Sequence, residues 1–339
     1  MSDQGLRLSL LNLRLKKSFN LSKASAIEKT TLLARFRDGI GEGSPSIHYG
    51  LPAEKIVHAL SKDLGKFEGA SNHQTLNDFT DSLPSSLNVG RCAIEMALLD
   101  YLAKQEQLPL YEYLGLQKPA HVTSSFTVTP GSEKEIETQM ETARFFDVLK
   151  LKVGFDEDLR FIDSVLRQGS FRLRLDANGG WDVNRTIERI RSLSGYPIEF
   201  YEQPMTEPSL TDLDRVKTKT ECCLILDESI ISPDDIIKFR PVIDGINLKL
   251  SKCGGIQTTM KMALEAKESG LKLLLGCMIE TAVGITAALH LASLFDFFDL
   301  DSLLVTENDP FWGAQIDGQN LLLPDGLGIG IQQEDNTLA

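Results

Sequence analysis

The stretch "DVLKLKVGFDEDLRFIDSVLRQGSFRLRLDAN", residues 147–178, decides the fold. It opens on an apolar, β-rich run, "DVLKLKV". "LRFIDSVLRQ" then spaces apolar residues as a helix does, and "FRLRLDAN" returns to a strand pattern. Strand, helix and strand in that order imply parallel pairing through a right-handed crossover. The same rhythm runs on from about residue 120. Its other strand candidates are "TSSFTVT" (123–129), "IEFYEQP" (198–204), "CLILDES" (223–229), "GINLKLS" (245–251), "KLLLGCMIE" (272–280) and "DLDSLLVTE" (299–307). Eight such units predict an α/β fold, a (β/α)8 barrel with its last helices modified, over residues 119–309. The rival, an open doubly wound sheet, loses support because no GxGxxG or GxxxxGK[ST] follows any strand.

Residues 1–118 read as mixed α+β. "LRLSLLNLRL" alternates like a strand, and "TTLLARFRDGIGEGSP" reads as a strand, a glycine turn and a loop. Residues 53–66 and 90–107 look helical, and "LPLYEYLGL" closes this part. Among the 339 residues, 42% are hydrophobic and 24% charged, as in ordinary globular chains. A net charge of −13 argues against nucleic acid or an anionic membrane surface as main partner, since both need a basic patch. Five cysteines with no CxxC suit a reducing cytoplasm better than a disulfide framework. Neither a signal-peptide pattern nor an apolar run of membrane-spanning length is seen.

In such barrels chemistry sits at the C-terminal ends of the strands. There the sequence offers Lys150 and Lys152, then Asp176, Glu202, Asp227 and Lys249, at intervals of 26, 26, 25 and 22 residues counted from Lys150. Each interval is about one strand–helix unit, so the set lands on neighbouring strands around one rim. One acid alone reads as a helix cap. Three in succession repel one another without a counter-ion, and an all-oxygen set suits Mg2+, with Mn2+ as a substitute, better than zinc. Lys152 and Lys249 flank the acids. A lysine beside a cation and another lysine is easier to deprotonate, which makes it a general base. Two such groups on opposite faces would take a proton from one side and return it on the other. The metal would stabilise the enediolate in between.

These residues resemble the enolase superfamily, in its muconate-lactonizing subgroup. The matching motifs are "KLK", "LDANGGW", "YEQP", "LDES" and "NLKLSKCGG", in the family's order and spacing. "GIGEGSP" and "CAIEMALLDYLAKQ" resemble its α+β capping domain. The resemblance implies a TIM-like barrel over residues 119–309 and a cap over 1–118, completed by a tail of about 310–339. It implies Asp176, Glu202 and Asp227 as Mg2+ ligands, and Lys152 and Lys249 as the acid/bases. Lys150 would sit by the substrate carboxylate and lower the pKa of Lys152. Family members are often oligomers, so a homo-oligomer is expected.

Among relatives, the D-x-D Asp299-Leu300-Asp301 resembles that of dipeptide epimerases, where it meets the substrate's α-ammonium. Cys277, Ile279 and Thr127 match positions that contact the dipeptide. A loop at 18–26 covers the site in this family, and Ala24, next to Lys23, stands where some relatives carry an arginine; the cap residues His48 and Tyr49 would also line the pocket. The reading is a Mg-dependent epimerase of dipeptides of the L-Ala-D/L-Xaa type, acting by two-base 1,1-proton transfer at the C-terminal residue. N-succinylamino acid racemase or o-succinylbenzoate synthase chemistry is the alternative on the same machinery, and a catalytically silent ligand-binding barrel the alternative of another class.

Overall fold

A computed structural model describes residues 5–21, 24–46, 51–61, 64 and 73–333. The capping domain holds a three-stranded antiparallel sheet, β1 (Leu6–Leu21), β2 (Ala24–Phe36) and β3 (Gly39–Gly43). In β3 glycine alternates with Ile40 and Glu42, and a strand sends alternate residues to opposite faces. A Cβ on Gly39, Gly41 or Gly43 would come within 2.1, 2.1 or 2.0 Å of the carbonyl oxygens of Ala97, Ala93 and Val89. Only glycine lets the backbone of the helix Asn88–Gln105 lie this close. Glu42 is thereby sent away from that helix, towards the barrel.

The short strand β4 (Val122–Thr123) precedes eight parallel strands: β5 (Phe126–Val128), β6 (Val148–Lys152), β7 (Arg172–Asp176), β8 (Ile198–Glu202), β9 (Leu224–Leu226), β10 (Gly245–Leu248), β11 (Lys272–Gly276) and β12 (Phe297–Asp299). Each pairs with the next in chain order. Most strand residues are buried, as expected when helices cover one face and side chains fill the other. The ring closes between β12 and β5. There the Ser125 amide donates to the Phe298 carbonyl at 3.1 Å, and the Leu300 amide to Ser124 Oγ at 2.8 Å. Helices join the strands up to β11, but β12 is followed only by the single turn Ser302–Val305, so the last unit is modified as expected.

Two strands differ from the sequence reading. The first candidate is two strands. β4 pairs antiparallel with Asn320–Leu322, itself paired with Gln315–Asp317, and the chain turns at Ser124 and Ser125 into β5. The last candidate, 299–307, lies too far along: Phe297, Phe298 and Asp299 form the strand, and "SLLV" is helical. A short apolar run has no period that separates strand from helix. The tail returns to the cap: the Ile329 amide donates to Asp100 Oδ1 at 2.7 Å, and the tail's Phe311–Trp312 and Gln332–Gln333 pair with each other. Among the described residues no helix is long and apolar enough to cross a membrane.

Candidate active site

The strand register gathers the predicted residues. Lys152 pairs with Asp176, and Asp176 with Glu202. Asp227 follows β9 directly, and Lys249 follows β10. Asp176 and Glu202 are fully buried and Asp227 nearly so. Lys152 and Lys249 stand at β6 and β10, four strands apart in a ring of eight, hence on opposite sides. The three acids occupy the arc between them. β12, which ends in Asp299, lies four strands from β8 and faces that arc.

Lys150 is the hub. Its Nζ donates to Asp299 Oδ2 at 2.7 Å and to Glu202 Oε1 at 3.1 Å, and lies 3.0 Å from Asp176 Oδ2. Lys152 Nζ donates to the same Asp176 Oδ2 at 2.7 Å, and Lys249 Nζ to Asp227 Oδ2 at 2.6 Å. The two neighbouring lysines thus share one carboxylate oxygen, which stands between their ammonium groups. Burial disfavours the Lys150 ammonium, yet Asp176, Asp299 and Glu202 outweigh it and hold its pKa well above the ordinary value.

The acids divide by their partners. Burial would raise Asp176 and Asp227, but two lysines against the first and three against the second hold both below the carboxylate range. Glu202 goes the other way, pushed up to about 7 by burial and then by Asp176. Burial also pushes Asp301 up to about 6, helped by repulsion from Asp299. Asp299 stays low, because Lys150 outweighs its burial.

Of the residues read as substrate contacts, Asp299 ends β12, Asp301 follows it and Thr127 lies on β5. Asp301 Oδ2 accepts the Thr127 backbone N–H at 2.6 Å, and Asp299 Oδ1 accepts Ser125 Oγ–H at 3.0 Å. Cys277 and Ile279 lie just past β11 rather than within it. Burial and the carboxylates of Asp301, Glu280 and Asp299 push the Cys277 thiol well up. The loop expected at 18–26 is largely hairpin: Phe19, Asn20 and Leu21 pair with Ala26, Ser25 and Ala24. Lys23, His48, Tyr49 and the side chain of Ala24 lie outside the described residues.

Sequence reasoning missed three groups. Lys252, in the single helical turn Leu250–Cys253, is fully buried; its Nζ donates to Asp227 Oδ1 at 2.6 Å and to the carbonyls of Asp227 and Asn247 at 2.7 Å each. It stands in the motif "NLKLSKCGG", of which the sequence reading assigns only the first lysine, Lys249. Asn247 Nδ2 donates to Glu202 Oε1 at 2.7 Å. Gln203 holds the turn after β9, its Oε1 accepting the Asp227 amide at 2.9 Å.

The residues fit a divalent cation by their chemistry. Six carboxylates (Asp176, Glu202, Asp227, Glu228, Asp299, Asp301) face four lysines, leaving an excess of negative charge. Three buried acceptors here, Glu202 Oε2, Glu228 Oε2 and Asn247 Oδ1, have no hydrogen bond, although Glu202 Oε2 is 2.9 Å from Lys150 Nζ. Among the described residues no three acidic, histidine or cysteine side chains converge as a ready-made metal cluster. The ammoniums lie between the acids and balance part of their charge.

Residues 134–336 match the family model described as enolase C-terminal domain-like. The chain is 36% identical to the hydrophobic dipeptide epimerase of Roseobacter litoralis, over 70% of this chain and 72% of that one. It is 33% identical to the L-Ala-D/L-Glu epimerase of Bacillus subtilis, over 82% and 80%. The dipeptide epimerase of Enterococcus faecalis, solved with Mg and the dipeptide L-Leu-L-Tyr, superposes with a TM-score of 0.90 at 26% identity, covering 97% of this chain and 99% of that one.

Proposed function

We infer the reaction from a plain premise: the chain belongs to the enolase superfamily, among its dipeptide epimerases. We propose that it inverts the α-carbon of the C-terminal residue of a dipeptide, with Mg2+ as cofactor. One observation carries the reading: Lys152 and Lys249 stand half a ring apart, with three acids on one arc between them and Asp299 facing that arc. A dipeptide held with its carboxylate toward the acids and its ammonium toward Asp299 and Asp301 would present the two faces of its α-carbon to the two lysines. One lysine, as free amine, takes the α-proton. The other, as ammonium, returns a proton to the opposite face.

Asp176, Glu202 and Asp227 would hold Mg2+, or Mn2+ in its place, which would neutralise the substrate carboxylate and so ease loss of the α-proton. Lys150 keeps those acids fixed by its ion pairs. Thr127, Cys277, Ile279 and Ala24 are proposed to line the side-chain pockets. The two relatives are named for different dipeptides, so the side chains accepted are a matter for a dipeptide library. In this reading the cap spans 1–118 with the tail of about 310–339, and the barrel spans 119–309. The partner is a small molecule, the place is the cytoplasm, where five unpaired thiols are at home, and the assembly is a homo-oligomer, which light scattering would measure.

The test is proton exchange in D2O with Mg2+. Wild type should wash deuterium into both epimers of at least one dipeptide. Lys152→Ala and Lys249→Ala should each lose inversion by roughly 10²–10⁴-fold while retaining exchange with one epimer only, a different one for each variant. No exchange with any dipeptide of a broad library would end the reading. Asp301→Asn should cut dipeptide turnover severely; intact turnover would favour an acylated amino acid substrate.

A further inference from the structure

The cap motif "GIGEGSP" takes no part in the chemistry described, yet its polar residues reach the barrel. Glu42 is buried, and its Oε2 accepts three hydrogen bonds from the segment after β11: Thr281 Oγ1 at 2.6 Å, the Thr281 amide at 3.0 Å and the Gly284 amide at 3.0 Å. Its Oε1 accepts Thr31 Oγ1–H at 2.8 Å within the cap and shares the Thr281 amide at 3.1 Å. Two residues on, Ser44 Oγ donates to the Ile279 carbonyl at 2.8 Å. The Ser44 amide donates to Ser251 Oγ at 2.9 Å, two residues beyond Lys249.

We propose that Glu42 and Ser44 are positioning residues that clamp segment 277–281, the wall on which Cys277 and Ile279 sit, and so set substrate discrimination from the cap. The role in discrimination rests on the dipeptide reading above; the clamp itself does not. The clamp grips the backbone on both sides of Glu280, and so would leave the side chains of Cys277 and Ile279 free for the substrate. The glycines of β3 allow this, because the close approach to helix Asn88–Gln105 fixes the strand carrying Glu42. Glu42 acts through acceptor geometry rather than charge. A glutamine keeps one oxygen for the Thr281 hydroxyl and the Thr281 and Gly284 amides, gives up only the longer share of the Thr281 amide, and turns its own amide to the Thr31 hydroxyl, which still donates to the Gly43 carbonyl at 3.1 Å.

The experiment compares wild type, Ser44→Ala, Glu42→Ala and Glu42→Gln, all with Mg2+. Hydrogen exchange of peptides covering 277–284 reads the clamp, and kinetics on dipeptides differing in one side chain reads its role. Glu42→Ala should speed exchange of 277–284 at least about tenfold, as expected for lost buried hydrogen bonds, with Glu42→Gln near wild type. Both alanine variants should raise KM about tenfold with kcat within about threefold, and change the ratio of kcat/KM between dipeptides. The inference is overturned if Glu42→Ala leaves exchange at 277–284 unchanged, if Glu42→Gln is as impaired as Glu42→Ala, or if the alanine variants lower stability alone. An inactive wild type would remove the epimerase reading and the role in discrimination, while exchange would still decide whether the clamp exists.

Discussion

Replacing Lys150 with methionine isolates the charge balance of the site. The methionine side chain is of similar length, so little cavity is left. What disappears is the one cation that touches Asp299 at 2.7 Å, Glu202 Oε2 at 2.9 Å and Asp176 at 3.0 Å, all in a buried setting. Removing one partner of a buried ion pair costs about 3–5 kcal/mol. Asp176 retains Lys152, but Glu202 and Asp299 keep no other ion pair among those found between described residues. The prediction is a loss of about 3–5 kcal/mol in urea unfolding at pH 8 with EDTA, shrinking as pH falls and the acids take up protons. A divalent cation supplies the missing charge, so the variant should bind Mg2+ at least about tenfold more tightly than wild type, measured as the Mg2+-dependent rise in stability. A loss below about 1 kcal/mol without metal, or equal Mg2+ affinity in the two proteins, would refute Lys150 as the counter-charge of the acids.

Two further predictions concern the frame. His290 is buried, with Nδ1 accepting the Tyr111 amide at 3.0 Å and Nε2 facing the Ile329 carbonyl at 3.1 Å, and burial lowers it to about 4 from 6.5. A folded value below the unfolded one gives stability present above pH 6.5 and lost as pH falls towards 4, about 3 kcal/mol in all. His290→Gln should flatten that part of the pH–stability curve in urea midpoints; an unchanged slope would show that other groups cause it. Gly41→Ala places a Cβ 2.1 Å from the Ala93 oxygen and 2.5 Å from the Ala97 nitrogen, both backbone. It should cost about 3 kcal/mol or more, against nearly nothing for Gly5→Ala, where no atom lies within 4 Å. A Gly41→Ala protein within about 1 kcal/mol of wild type would mean that β3 can lift off its helix freely.

Much of the barrel was legible because each of its acids follows an apolar strand at the period of one strand–helix unit. Asp176, Glu202 and Asp227 could be placed on neighbouring strands by counting alone. Lys252 escaped because it lies three residues past Lys249 on a single helical turn, where neither strand nor helix period says that it points inward. Glu42 escaped for a different reason: its partner Thr281 is 239 residues away, and a contact between cap and barrel leaves no local pattern. The strand at 297–299 was displaced because aromatic and aliphatic residues run together through the turn that follows it. The carboxylate oxygen that Lys150 and Lys152 share was not legible in "KLK", because it comes from the neighbouring strand.

The Asp301 carboxylate accepts a backbone amide of β5 across the seam where the last barrel strand meets the first. The acid proposed to select the substrate is thus also a fastener of the ring. An evolutionary path to a substrate without an ammonium group cannot simply delete it, since an orphaned amide at the seam would be left buried. Lineages that change substrate here are constrained to side chains that still accept a hydrogen bond, or to a water in that place. Asparagine is the nearest such step, and it would shed the charge while leaving the barrel shut.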